Sequence, residues 1–161
     1  MKLIGINDYD ISSYKEPAMF LSFPRCSFKC GAEWCQNYHL KESDLIDIDY
    51  TTILATYQNS PFSHAIVCGG LEPFDSWDEL ECLVSNLRLV TPDPIVIYTG
   101  YTEAEVLYKV NLLSVYENII VKYGRYIPGN TPHYDEILGV ELASDNQYAK
   151  IYNPIDARSI K

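Results

Sequence analysis

Four short apolar runs, separated by helix-length segments, limit what this chain can fold into. Residues 17–23 (Pro-Ala-Met-Phe-Leu-Ser-Phe), 63–68 (Ser-His-Ala-Ile-Val-Cys), 95–99 (Ile-Val-Ile-Tyr-Thr) and 119–123 (Ile-Ile-Val-Lys-Tyr) read as buried strands. Between them, 50–58 reads as a short helix and 75–90 as the clearest one. In the latter, Trp77, Leu80, Val84 and Leu87 share a face, Ser76 and Glu79 have capping-box spacing, and Pro92 and Pro94 follow. Thr102 with Glu105 opens another helix through Val106, Val110 and Leu113. Segment 128–161 reads as irregular, with one strand near 148–152. Strands alternating with helices imply an α/β fold with a mostly parallel sheet. No repeat or linker divides the 161 residues, so one domain over 1–161 is expected.

Ligand sites in such sheets lie at the carboxyl ends of the strands. Three motifs fall there: the loop Cys26-Ser-Phe-Lys-Cys30-Gly-Ala-Glu-Trp-Cys35, the pair Gly69-Gly70 that ends the second strand, and Thr99-Gly100. Their convergence on one sheet edge is predicted.

The cysteine count decides which chemistry is available. The N-terminal Met-Lys-Leu-Ile-Gly-Ile-Asn-Asp lacks a signal-peptide pattern, and no apolar run approaches a membrane span. A cytoplasmic, reducing location is expected, which disfavours a disulfide framework for the five cysteines. Cys68 and Cys82 stand apart and read as small buried apolar residues. Three close cysteines point to a metal. Structural zinc takes four ligands, commonly two Cys-x-x-Cys pairs. Here the gaps are three and four residues with no second pair, and His39 is the available fourth ligand. Three thiolates equally suit three irons of a four-iron cluster, whose fourth iron stays open to a substrate.

The loop resembles the signature of the radical S-adenosylmethionine (SAM) superfamily, Cys-x3-Cys-x2-Cys with an aromatic residue before the last cysteine. Trp34 holds that place, and the second gap is four rather than two. Gly69-Gly70-Leu71-Glu72-Pro73 is similar to the superfamily's Gly-Gly-Glu-Pro motif, with Leu71 inserted. Four further segments resemble, in order, those of anaerobic ribonucleoside-triphosphate reductase activating proteins, which are glycyl-radical enzyme activases. They are Asn7-Asp8-Tyr9-Asp10, Tyr98-Thr99-Gly100-Tyr101-Thr102 with Glu105, Gly124-Arg125-Tyr126, and Leu142-Ala143-Ser144-Asp145-Asn146-Gln147. The resemblance spans nearly the whole chain, and its departures mark a divergent member.

That resemblance implies a small, incomplete TIM-like barrel of parallel strands and helices. Cys26, Cys30 and Cys35 would ligate a 4Fe–4S cluster. Trp34, Gly69, Gly70, Glu72, Thr99 and Tyr101 would bind SAM, with Gly-Gly carbonyls and Glu72 meeting its ammonium. Phe23, Phe28 and Trp34 would shield the cluster. Reductive cleavage of SAM would give a 5′-deoxyadenosyl radical that takes hydrogen from a glycine of anaerobic ribonucleotide reductase. A low-potential donor such as flavodoxin would supply the electron. No catalytic side chain is implied beyond the cluster and SAM contacts. The alternatives are a small radical SAM enzyme with another substrate (a deazapurine synthase or peptide maturase) and a zinc-binding module without catalysis.

The remaining features are less directive. A net charge of -10 with scattered basic residues argues against nucleic acid and for solubility or a basic partner surface. Arg25 and Lys29 read as solvated surface charge. His39, His64 and His133 have no metal-like spacing with one another and read as surface or packing residues. Asn146 and Gln147 are further site candidates. The 14 tyrosines suit core edges and a partner-binding face.

Overall fold

In the computed structural model, which describes residues 1–154, the alternation is realised as three successive strand–helix–strand units. The strands are β1 (Lys2–Leu3), β2 (Gly5–Asp10), β3 (Ala18–Phe23), β4 (Ile46–Asp47), β5 (Ala65–Gly70), β6 (Ile95–Tyr98), β7 (Ile119–Tyr123), β8 (His133–Asp135), β9 (Val140–Leu142) and β10 (Tyr148–Tyr152). The helices are α1 (Tyr50–Asn59), α2 (Trp77–Leu87) and α3 (Glu103–Leu113). The four predicted runs become β3, β5, β6 and β7, which lie side by side in chain order and pair parallel. Parallel neighbours need a crossover, and each helix supplies one.

Two antiparallel strands make the sheet mixed rather than parallel throughout. β2 pairs with β3 at one edge and β10 with β7 at the other, giving the order β10-β7-β6-β5-β3-β2. β2 escapes sequence reading because Gly-Ile-Asn-Asp-Tyr-Asp is a polar, largely exposed edge strand. β1 with β4 and β8 with β9 form two small ribbons, too short to leave a periodic signal. Among the described residues the six-stranded sheet does not close on itself. Residues 155–161 of the predicted irregular tail lie outside the described residues. Among the described residues no helix is long and apolar enough to cross a membrane.

The two faces of the sheet differ. One packs Met19, Leu21, Phe23, Ile66, Ile95, Ile97, Ile119 and Val121 against apolar stripes of all three helices, including Ile53, Leu83, Val106 and Val110. Each such side chain contributes about 1.5–3 kcal/mol on burial. The other face carries Ala18, Ala65, Val67, Val96 and Ile120, covered by Tyr14, Leu138 and Leu142. Cys68 is buried as expected, which pushes its thiol up to about 12, whereas Cys82 is only half-buried.

One cap differs from expectation. A 3-10 turn, Pro73–Ser76, precedes α2 and is capped by Glu72, whose Oε1 accepts the Phe74 N–H at 3.2 Å. The Ser76–Glu79 box does not form: Ser76 Oγ is buried without a partner, and Glu79 accepts the Lys2 N–H at 3.1 Å. Pro73 fixes φ at the turn's start and sets the helical entry earlier than the capping pattern does. The Thr102–Glu105 box forms as predicted.

Candidate cofactor site at the carboxyl edge of the sheet

β3, β5 and β6 run parallel and so end at one edge of the sheet. The residues that follow enclose a cavity of about 380 Å³. Cys26, Cys30, Trp34 and Cys35 line it from the loop after β3, Gly69, Gly70 and Glu72 from the end of β5, and Thr99 and Gly100 from the end of β6. Of the residues expected to hold the cluster or SAM, Tyr101 alone falls outside this lining. β6 ends at Tyr98, and the following turn carries Tyr101 behind the cysteine loop. There its hydroxyl donates to Asp75 Oδ1 at 2.7 Å and lies 2.9 Å from Ser27 Oγ. Asp75 Oδ2 also accepts the Ser27 N–H at 2.6 Å. Tyr101 therefore positions the loop rather than contacting the cavity.

The glycine pair does not stop β5, as the sequence suggested. The strand runs through it, setting Gly69 opposite Ser22 and Gly70 opposite Phe23. A Cβ on Gly69 would come within 2.7 Å of the Phe20 ring. Gly70 has φ +84°, and its Cβ would lie 2.9 Å from the Phe23 nitrogen. Only glycine lets the backbone come this close. The inserted Leu71 continues the pairing: its N–H donates to the Phe23 carbonyl at 3.0 Å, and the Glu72 N–H to the Arg25 carbonyl at 2.7 Å.

The long second gap of the cysteine loop folds into two tight turns. The Gly31 N–H reaches the Phe28 carbonyl at 3.0 Å and the Trp34 N–H the Gly31 carbonyl at 3.2 Å. Phe28 and Gly31 take φ values of +51° and +86°. Asn37 then ties the loop to β5, its Nδ2 donating to the Gly70 carbonyl at 2.8 Å. That carbonyl belongs to the pair expected to meet an ammonium, and it keeps a second lone pair. Of the expected shielding residues, Phe23 is fully buried in the core, Phe28 packs edge-on against Tyr38, and Trp34 is 54% exposed.

Burial pushes the Cys26 thiol up to about 11, and raises Cys30 with further help from the adjacent Cys35. Such thiols stay protonated at neutral pH until a metal displaces the proton. Among the described residues, no three His, Cys, Asp or Glu side chains are grouped so as to hold a metal ion.

Glu72 is 6% exposed. Its Oε2 accepts the Gly100 N–H at 2.9 Å while Oε1 caps Phe74, so one carboxylate links the ends of β5 and β6. Burial lifts its pKa to about 7 against the lowering effect of these amides and the Thr99 hydroxyl. Lys122, 7% exposed, also lines the cavity and donates from Nζ to the Gly124 carbonyl at 3.0 Å. Burial draws its pKa down to about 8, with the Glu72 charge pulling the other way. Sequence reading missed it, although a lone lysine inside Ile-Ile-Val-Lys-Tyr was the available signal. Arg125, also missed, pairs with both oxygens of Glu105 at 3.0 and 2.8 Å. Gln147 lines the cavity; Asn146 does not, and instead holds the Arg125 carbonyl at 2.9 Å.

Comparison with protein-family models, with curated proteins and with solved structures finds no match to this chain.

Proposed function

We propose that this chain is an iron–sulfur, SAM-cleaving activase that generates a glycyl radical on anaerobic ribonucleotide reductase. The observation that carries the reading is the meeting, in one cavity, of three cysteine thiols with Gly69, Gly70 and Thr99 from the ends of neighbouring parallel strands. Cys26, Cys30 and Cys35 would hold a 4Fe–4S group there. When bound and reduced, the cluster supplies the electron that cleaves SAM into methionine and a 5′-deoxyadenosyl radical.

The chain's own residues bind and orient. Gly69 and Gly70 open backbone to close approach by the ligand. Trp34 presents a half-exposed indole beside Cys35. Glu72 fixes the spacing between the β5 and β6 ends, and Lys122 offers a buried ammonium to a carboxylate-bearing ligand. Strands in chain order with all three helices on one face support barrel-type winding, left open as a partial TIM-like barrel with antiparallel edges. Five free cysteines fit a reducing, cytoplasmic setting.

The test is anaerobic mixing of the iron-loaded protein with the reductase large subunit, SAM and a strong reductant. The expected result is a glycyl-radical doublet in the electron paramagnetic resonance spectrum, absent for Cys35→Ala. SAM cleavage without that doublet would move the substrate to a small molecule or another peptide.

A further inference from the structure

We propose that Asp75 is the positioning residue of the cysteine loop and that its carboxylate keeps a bound cluster strongly reducing; this rests on the iron–sulfur reading above. Cys26 stands between two acids of one turn. It lines the ligand cavity together with Glu72, and an outer cavity of about 420 Å³ together with Asp75. Both acids belong to the entry to α2. Pro73 starts the 3-10 turn, Glu72 caps it from the inner side, and Asp75 leaves it on the outer side.

Asp75 joins three elements. Its Oδ2 accepts the N–H of Ser27, the residue after Cys26, at 2.6 Å, and its Oδ1 accepts the Tyr101 hydroxyl at 2.7 Å. The Tyr101 oxygen lies 2.9 Å from Ser27 Oγ, which closes a ring of three residues. The loop backbone beside the first thiol is thus fixed from the entry to α2 and from the turn after β6. Cys26 Sγ itself accepts the Phe28 N–H at 3.2 Å.

No ion pair cancels the charge at this point. Among the described residues Asp75 has no salt-bridge partner, although Arg25 and Lys109 border the same outer cavity. Lys109 donates from Nζ to the Phe74 carbonyl at 2.7 Å instead. The potential of an iron–sulfur group follows the net charge, the hydrogen bonds and the solvent around its sulfurs. At Cys26 the Phe28 N–H favours an added electron, and the Asp75 carboxylate opposes it. Opposing that electron lowers the potential, the direction that reductive cleavage of SAM requires.

The test compares the wild type with Asp75→Asn, Asp75→Ala and Asp78→Asn, the last an exposed charge control in the first turn of α2. Asparagine carries no charge but keeps both contacts: its carbonyl accepts the Ser27 N–H, and its amide donates to the Tyr101 oxygen. Midpoint potentials of the iron-loaded proteins are read by anaerobic dye-mediated titration. Exchange of the Ser27 amide is read by nuclear magnetic resonance on the iron-free proteins. Asp75→Asn is expected to change the reduction equilibrium about tenfold, about 59 mV upward for one electron, with Ser27 exchange as in the wild type. Asp75→Ala is expected to show the same upward shift, with Ser27 exchanging about tenfold faster or more. Asp78→Asn matches the wild type in both readouts. A wild-type potential in Asp75→Asn overturns the electrostatic role, as does an equal shift in Asp78→Asn. Wild-type Ser27 exchange in Asp75→Ala overturns the positioning role. A wild type that takes up no iron overturns the iron–sulfur reading and the electrostatic role with it, while Ser27 exchange, measured without iron, still decides the positioning role.

Discussion

The two walls of the cavity are built by different means. The strand-end wall, Gly69 to Glu72 with Thr99 and Gly100, continues the core: Thr99 and Glu72 are buried, and Glu72 joins the two strand ends through backbone amides. The cysteine wall, residues 26–37, has no regular structure of its own. It is held to the first wall by a few contacts, namely Ser27 with Asp75 and Tyr101, Asn37 with Gly70, and Arg25 with the Glu72 N–H. The strand-end wall is therefore preorganised by packing, whereas the cysteine wall depends on bridging hydrogen bonds. Segments with few buried contacts open locally at low cost. Amide exchange should accordingly be fast across 26–37 and slow across 66–70 in the iron-free protein, and should slow in the loop when iron is bound.

Substitutions can break this contrast, from the largest expected effect to the smallest. Cys35→Ala should abolish iron loading while changing the stability of the iron-free protein by less than about 1 kcal/mol, measured by denaturant unfolding. Gly70→Ala should destabilise the fold by about 2–4 kcal/mol, because a Cβ at φ +84° runs into β3. Glu72→Ala leaves two amides without their acceptor and should cost about 2–3 kcal/mol. Tyr101→Phe removes only the hydroxyl that links Asp75 and Ser27. It should cost about 1 kcal/mol yet lower iron affinity several-fold, since the loop loses an anchor.

The two buried charges add a pH signature. Glu72 binds its proton more tightly folded than unfolded, so its contribution to stability falls as pH rises from about 4.5 to about 7. Lys122 holds its proton less tightly folded than unfolded, so its contribution rises with pH between about 8 and 10.5. Relative to Lys122→Met, the wild type should gain stability across that upper window. A flat difference would show that Lys122 is not desolvated.

The parallel strands and the Thr102 cap were legible because buried strands carry continuous apolar runs and capping boxes are local. Gly69, Gly70 and the three cysteines were legible as spacing at strand ends. Less of the rest could be read. β2 is polar because one of its edges meets solvent, and β8 and β9 are three-residue strands set by tertiary contacts. Ser76 lost its cap to Glu72 because Pro73 set the turn earlier. The roles of Tyr101 and Lys122 depend on which way a side chain leaves its backbone. For Tyr101 that direction is decided by a turn, and for Lys122 by strand alternation against a cavity that the sequence does not outline.

The most direct measurement is product formation from SAM by the anaerobically reconstituted protein under a strong reductant. The account predicts 5′-deoxyadenosine and methionine in equal amounts from the wild type and none from Cys35→Ala. A colourless protein holding one zinc per chain and leaving SAM intact would contradict it.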